Sequence, residues 1–361
     1  MEDPHIPDLR LTLVLPRTSR RHAIGALTRK QYYQRVFPAY LGELLKYLVT
    51  GGAGFVGSHL VDRLIDRGDF VTVLDDLSTG KIENVAHHRD NPRFVMFEGS
   101  ILDYETVEKL IENCDRILHL AAAVGVFNIV QHPLESLTIN IKGSENVFDA
   151  CLKFKKPVLI TSSSEVYGKN TADLLSEDSD RVVGAPQKIR WSYSDSKAID
   201  ESMAISLHQQ KGLETRIVRL FNTVGPRQVG RYGMVVPRFV EAALNNEPLK
   251  IYGTGKQTRC FGHVTDVVEA ILRIDLSQRA IGKPVNIGVN QEISILELAT
   301  RVISMLNSKS TIEYVPYEDA YASGFEDMER RVPDTTLLRE ITNWKPTKDI
   351  NDIITDLSQR L

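Results

Sequence analysis

Tyr193 and Lys197 stand one helical turn apart and could act together on an alcohol. A free phenol titrates near 10 and is a poor base at neutral pH, but an ammonium beside it favours the phenolate. The pair then accepts the proton of a carbinol while a second group takes the hydride. Residues at that spacing face the same side of a helix. Upstream, Thr161-Ser162-Ser163-Ser164-Glu165-Val166-Tyr167-Gly168 offers a hydroxyl, Ser163, to hold the same substrate oxygen. It also offers a carboxylate, Glu165, for whatever step follows the oxidation.

The hydride acceptor is written into Gly51-Gly52-Ala53-Gly54-Phe55-Val56-Gly57, which lies between an apolar run and a segment of helical spacing. Gly51 allows the tight turn, Gly54 lets backbone approach a pyrophosphate, and Gly57 permits close packing of the helix. The free N–H groups at the start of that helix suit the phosphates. Asp75 closes the next strand, where a carboxylate binds both ribose hydroxyls and repels the additional phosphate of NADP. The expected cofactor is NAD.

The elements that must hold these groups follow from the pattern. Short apolar runs at 47–50, 70–74, 93–97, 116–120, 158–161 and 216–221 are separated by stretches of helical periodicity. That alternation predicts an α/β fold, a doubly wound parallel sheet of Rossmann type covered on both faces. Beyond Pro226 the alternation breaks up, and segments such as 249–252 and 285–288 predict a smaller mixed α/β substrate-binding lobe over the carboxyl edge of the sheet. The expected organisation is an N-terminal extension at 1–45 and a cofactor domain at 46–225. A return segment near 261–284 joins that domain, and the lobe takes most of 226–361. The extension carries Thr18-Ser19-Arg20-Arg21, but no apolar core of signal length follows it.

At 361 residues, with 42% hydrophobic and 25% charged residues, the chain has ample core for such a fold. A formal net charge of −3 gives no reason to expect nucleic acid or an anionic membrane as partner. No apolar run approaches the length of a membrane span. Cys114, Cys151 and Cys260 have neither CxxC nor metal-ligand spacing, so no metal site or disulfide framework is expected and a reducing cytoplasm is.

The glycine loop, His119-Leu120-Ala121-Ala122, Tyr193-x-x-x-Lys197 and Arg219-Leu220-Phe221-Asn222-Thr223-Val224-Gly225-Pro226-Arg227 together resemble the extended short-chain dehydrogenase/reductase family of nucleotide-sugar epimerases and dehydratases. The resemblance covers about residues 46 to 350. It implies an enzyme that oxidises C4 of a nucleotide sugar with NAD and commonly re-reduces the product with the same cofactor. It assigns the cofactor wall to Gly51, Gly54, Phe55, Val56, Gly57, Asp75, Ser100, Ile101, Leu120, Ala121, Ala122 and Asn140, with Lys197 also on the nicotinamide ribose. Ser100-Ile101 stands where the family has Asp-Ile. For the sugar nucleotide it assigns Asn222 to a phosphate or sugar oxygen, Arg259 to phosphate and Tyr252 to the base, although Tyr252 read blind could equally be core.

Within the family, Glu165 without a preceding aspartate argues against the dehydratases, and two segments resemble the uronate decarboxylase branch. These are Lys188-Ile189-Arg190-Trp191-Ser192-Tyr193 and Gly324-Phe325-Glu326-Asp327-Met328-Glu329-Arg330-Arg331. The resemblance places Arg331 at C5 and C6, with Glu165, and Arg190 on the sugar's carboxylate or phosphate. Ser164 stands where apiose synthases carry cysteine, which disfavours ring contraction. The implied reaction is decarboxylation of UDP-glucuronate, the alternative is a UDP-glucose or UDP-uronate 4-epimerase, and a non-catalytic NAD-binding regulator is a remote third. A homodimer is implied through helices at 136–154 and 194–211.

Overall fold

The computed structural model describes residues 44–125, 131–228, 234–316, 328 and 330–359. Of the extension read at 1–45, residues 1–43 lie outside the described residues, as do Gly324, Phe325, Glu326, Asp327 and Glu329 of the second decarboxylase-like segment. The first half alternates as expected: β1 (Lys46–Thr50), α1 (Phe55–Arg67), β2 (Phe70–Asp75), β3 (Phe94–Glu98), α2 (Tyr104–Glu112), β4 (Arg116–His119), α3 (Pro133–Phe154), β5 (Val158–Ser163), α4 (Ser192–Lys211) and β6 (Thr215–Leu220). Leu48, Ile117, Leu159 and Ile217 are wholly buried, which is why these short apolar runs settle as central strands. After β6 come β7 (Thr223–Val224), α5 (Val235–Leu244), β8 (Leu249–Tyr252), β9 (Thr258–Cys260), β10 (Gly262–His263) and α6 (Val264–Leu276). They are followed by β11 (Pro284–Ile287), β12 (Glu292–Ser294), α7 (Ile295–Met305), β13 (Ile312–Val315), α8 (Thr336–Thr342) and α9 (Ile350–Ser358).

The main sheet is parallel in the order β11-β6-β5-β4-β1-β2-β3. The strand order reverses between β4 and β1, and the crevice beyond the carboxyl ends of strands at such a point is where ligands bind. One expectation is corrected here. Residues 285–288 belong to no separate lobe: β11 pairs in parallel with β6 and brings the sheet to seven strands. Val285 and Ile287 are fully buried, so α6 acts as the crossover that returns the chain to the sheet edge. Three small two-stranded sheets, β10–β7, β12–β9 and β13–β8, make the mixed region.

The helices that bear chemistry have clear boundaries. α1 starts at Gly54 with no side-chain cap and no acid in its first turn, leaving its N–H groups to whatever the cleft holds. α3 begins at Pro133, ahead of the expected 136, because proline suits a first turn that needs no N–H. α4 begins at Ser192 and stops before Gly212, which takes the left-handed conformation that ends the helix.

A distant segment is pinned to the sheet. The Leu175 N–H donates to the Val332 carbonyl at 2.9 Å, and the Asp334 N–H donates to the Leu175 carbonyl at 2.9 Å. Asn286 of β11 donates its amide to the carbonyls of Leu175 at 2.9 Å and Asp334 at 3.2 Å. Arg331 is thereby held beside β5 by backbone and amide bonds rather than by its own side chain alone. No helix among the described residues is long and apolar enough to cross a membrane.

Candidate active site

Two clefts meet at the carboxyl ends of β4, β5 and β6. The first, about 500 Å³, is lined by Gly51, Gly54, Phe55, Val56, Gly57 and, across from them, Tyr193 and Lys197. The second, about 410 Å³, is lined by Glu165, Arg190, Asn222, Tyr252, Arg259 and Arg331. Ser163 and Tyr193 belong to both walls. A group reaching from either cleft therefore meets the other at the same serine and tyrosine.

The glycine loop fits a dinucleotide. Gly51 has φ +70°, and a Cβ there would lie 2.7 Å from the Ala121 nitrogen. A Cβ at Gly57 would lie 2.1 Å from the Gly51 carbonyl oxygen, so only glycine lets α1 start so close beneath the turn. Asp75 lines this cleft and accepts from the N–H groups of Ala53 and Leu77, both at 2.9 Å. Burial pushes its carboxyl up, against the pull of those N–H donors. Leu120, Ala121, Ala122 and Ile101 complete the wall. Ser100 does not join them: its hydroxyl accepts from the Leu102 N–H at 3.2 Å, a local turn that its short side chain favours. Asn140, also expected on the wall, stands behind it. Its carboxamide oxygen accepts from the Ala123 N–H at 2.7 Å, and its amide donates to Ser196 at 3.2 Å, bracing the cleft rim against α4.

Tyr193 and Lys197 face inward from α4, as their spacing predicts. The Ser163 hydroxyl hydrogen-bonds the phenol, and the Lys197 charge favours phenolate. Burial nevertheless holds the Tyr193 phenol above its ordinary range in the protein alone. Lys197 by itself does not overcome that desolvation. Glu165 and Asp200 add to it, the Asp200 carboxylate lying 3.1 Å from Lys197 Nζ. Sequence reasoning passed over Asp200, although it lies one turn after Lys197 on the same helix.

Glu165 is gripped from both sides. Arg331 Nη1 donates to its Oε1 at 2.8 Å and to the Ser164 hydroxyl at 3.1 Å, while Arg190 Nη2 lies 2.6 Å from Oε2. Burial would raise the carboxyl, but the two guanidiniums overcome it and hold Glu165 down at about 2. It is therefore an anion at any working pH and no reservoir of protons. Arg190, expected on the sugar's carboxylate or phosphate, lines the second cleft and directs its charge to Glu165 in this structure. Arg331 is 6% exposed, and its buried Nε has no hydrogen-bond partner among the described residues.

In the second cleft Asn222 donates to the Cys260 carbonyl at 3.1 Å, and Arg259 donates to the Thr258 carbonyl at 2.8 Å. Tyr252 is partly exposed on the wall rather than core. Arg238 donates to its hydroxyl at 2.7 Å and stacks over its ring at 4.5 Å. Gln257, in the same stretch as Arg259, lines this cleft too, and so do Arg238 and Lys250, which were not foreseen. No motif marks those two, since they are single polar residues on α5 and on β8.

A glycine-turned Rossmann cleft that shares its tyrosine with a cationic pocket defines the nicotinamide-dependent enzymes of nucleotide sugars. The chain belongs to the extended short-chain dehydrogenase/reductase group of epimerases and dehydratases, through the family whose model is described as GDP-mannose 4,6 dehydratase and matches residues 48–357. A curated UDP-N-acetyl-alpha-D-glucosaminuronate decarboxylase of Bacillus cytotoxicus is 42% identical over 83% of this chain and 92% of the relative. UDP-glucuronic acid decarboxylase 2 of Arabidopsis thaliana is 37% identical over 88% of this chain and 69% of the relative. Among solved structures, a dTDP-glucose 4,6-dehydratase of Bacillus anthracis in complex with NAD matches with a TM-score of 0.76 and 25% identity, over 87% of this chain and 96% of that one.

Proposed function

We propose that this chain is an NAD-dependent UDP-sugar decarboxylase that acts on a UDP-uronate through a 4-keto intermediate. The observation that carries the reading is the anchored Glu165–Arg331 pair at the seam where Ser163 and Tyr193 join the two clefts. The glycine loop, Asp75, Ile101, Leu120, Ala121, Ala122 and Lys197 would hold NAD. When bound, NAD would supply the acceptor for the hydride of sugar C4 and the hydride for the later reduction. The other events belong to the protein. Tyr193 accepts the C4 hydroxyl proton while Ser163 keeps that oxygen in place. The sugar is then a β-keto acid. Its C5–C6 bond breaks, carbon dioxide leaves, and the electron pair passes into the C4 ketone as an enolate. Arg331, cationic and buried, faces that charge; Glu165, fixed as an anion, orients Arg331, which also donates to the Ser164 hydroxyl. A proton from water at C5, then hydride at C4 with the Tyr193 proton returned to the C4 oxygen, would give the pentose product. Asn222, Tyr252 and Arg259 are assigned to the nucleotide, with Arg238 beside them.

Residues 46–225 with β11 form the cofactor half in this reading, and most of 226–361 forms the sugar-nucleotide half. Helices α3 and α4 are the surface through which we expect a second copy to dock as a homodimer, since Leu134 and Ile199 are exposed on them. The three buried free cysteines fit a reducing cytoplasm. Incubation with UDP-glucuronate and with UDP-N-acetylglucosaminuronate, followed by mass analysis, tests the reaction. Loss of carbon dioxide from either supports it. An unchanged mass with an inverted C4 centre would make the enzyme a 4-epimerase instead.

A further inference from the structure

Behind the Tyr193–Lys197 pair lies a second buried set of groups that the reaction as written does not use. Lys197 and Asp200 have side chains only 4% and 1% exposed, with Nζ 3.1 Å from Oδ2. Ser144 of α3 hydrogen-bonds the same carboxylate. The Ser144 hydroxyl lies 3.2 Å from His119 Nε2, and His119 Nδ1 lies 2.7 Å from the Thr50 hydroxyl at the end of β1. Asp200 Oδ1 has no hydrogen-bond partner within the usual distance among the described residues, so the closest polar contact of this carboxylate is the Lys197 ammonium. A buried acid so poorly solvated persists as an anion only through the cation next to it.

The remaining charges around the pair are already committed. Glu201, the next residue on α4, accepts from Arg219 of β6 at 2.7 Å and from Ser162 of β5 at 2.5 Å. Glu165, from the turn after β5, is held by Arg331 and Arg190. His119, from β4, is fully buried and pushed by desolvation down to about 3, so it is neutral. Asn140 and Ser144 of α3 carry no charge. Asp200 is therefore the one anion among the described residues whose ion partner is Lys197.

We propose that Asp200 is the positioning residue of the Tyr193–Lys197 pair: it fixes the ammonium beneath the phenol and decides that, when the pair gives up one proton, the phenol loses it and the lysine does not. The argument is one of coupled sites. Ammonium with phenolate and amine with phenol hold the same number of protons, so they compete as two arrangements of one titration step. Burial favours the uncharged arrangement, and an anion on the lysine side favours the charged one. The same anion also delays the step itself, because the site around it is one charge more negative. Asp200 thus makes the active form prevail once the proton has left, while moving that event to higher pH.

This rests on the assignment of Tyr193 as proton acceptor and not on decarboxylation. The test is the pH profile of kcat in Asp200→Asn, Asp200→Ala and Asp200→Glu. Alongside it, the phenolate band of each protein is followed by ultraviolet difference against its own Tyr193→Phe version, which needs no substrate. Both neutral variants should move the acid limb to lower pH by about one unit. They should also lower the plateau, roughly tenfold, because the lysine now yields the proton. Asp200→Glu should restore both. A limb that stays put or rises in a folded neutral variant overturns the proposal, and so does a profile that follows side-chain size rather than charge. Turnover that survives Tyr193→Phe would instead overturn the assignment of the base.

Discussion

The two clefts are built in different ways. The cofactor cleft is built around a glycine turn, the uncapped start of α1 and the ends of β1 and β4, with Asp75, Tyr193 and Lys197 among the side chains that line it. The charges of the sugar cleft come from segments far apart in sequence: Glu165 after β5, Arg190 before α4, Arg259 on β9, and Arg331 beyond β13. A backbone cradle tolerates only glycine and offers one fit. A cage of opposed charges can be retuned by a single substitution. The contrast places cofactor choice in the first cleft and choice of reaction in the second.

The largest effect that can break this division comes from the shared wall. Tyr193→Phe removes the proton acceptor alone and should lower turnover by on the order of 10²- to 10⁴-fold, with NAD affinity by calorimetry close to the parent's. A large loss of NAD affinity would mean that the tyrosine belongs to the cofactor cleft rather than to both.

Arg331→Ala tests the sugar cleft by itself. It leaves oxidation at C4 possible and withdraws the cation facing the enolate, so carbon dioxide release should fall roughly 10²- to 10³-fold while NADH still forms in a single turnover. An unchanged rate of carbon dioxide release would remove Arg331 from the chemistry. If the loss appears only in KM, Arg331 is a binding group and the two clefts are less distinct than described.

Asp75→Ala sharpens the other side. Preference for NAD over NADP should shrink about tenfold, the worth of one charge-assisted hydrogen bond, with little change in KM for the sugar nucleotide. Because Asp75 also anchors the Ala53 and Leu77 N–H groups, the melting temperature should drop as well. Cofactor preference that does not change would mean the ribose is held elsewhere.

The smallest effect concerns acid stability. Glu165 titrates at about 2 in the folded protein, below the ordinary glutamate value of 4.5. Its contribution is therefore fully present above the unfolded value and is lost as pH falls through that range towards about 2. Glu165→Gln should unfold at lower urea concentration than the parent at neutral pH, because Arg331 and Arg190 are left opposed to no charge. That gap should close as pH falls below 4.5. A gap independent of pH would mean that Glu165 contributes by packing rather than by charge.

What could be read beforehand follows the same division. The turn Gly51–Gly57, Asp75, Tyr193 and Lys197 were legible because each depends on neighbours along the chain: a strand running into a helix, a strand end, a single helical turn. The strand at 284–287 was legible as a strand but not in its sheet, since a four-residue apolar run does not say which edge it will join. Ser100 and Asn140 stay off the cleft wall for a related reason. A position in a motif fixes where the backbone passes, but whether a hydroxyl turns to a cleft or to a nearby N–H is decided by local hydrogen-bond competition.

From the amino-acid order alone came the Rossmann alternation, the dinucleotide turn and the paired tyrosine and lysine, because the backbone geometry of a turn and the pitch of a helix are local properties. Only the tertiary structure decided that Arg331 and Arg190 would close on one glutamate. It also decided that the charge of Lys197 would be shared with a buried aspartate, and that Asn286 would tie the Arg331 segment to the sheet. Charges separated in sequence interact through distance and burial, and both exist only once the chain has folded.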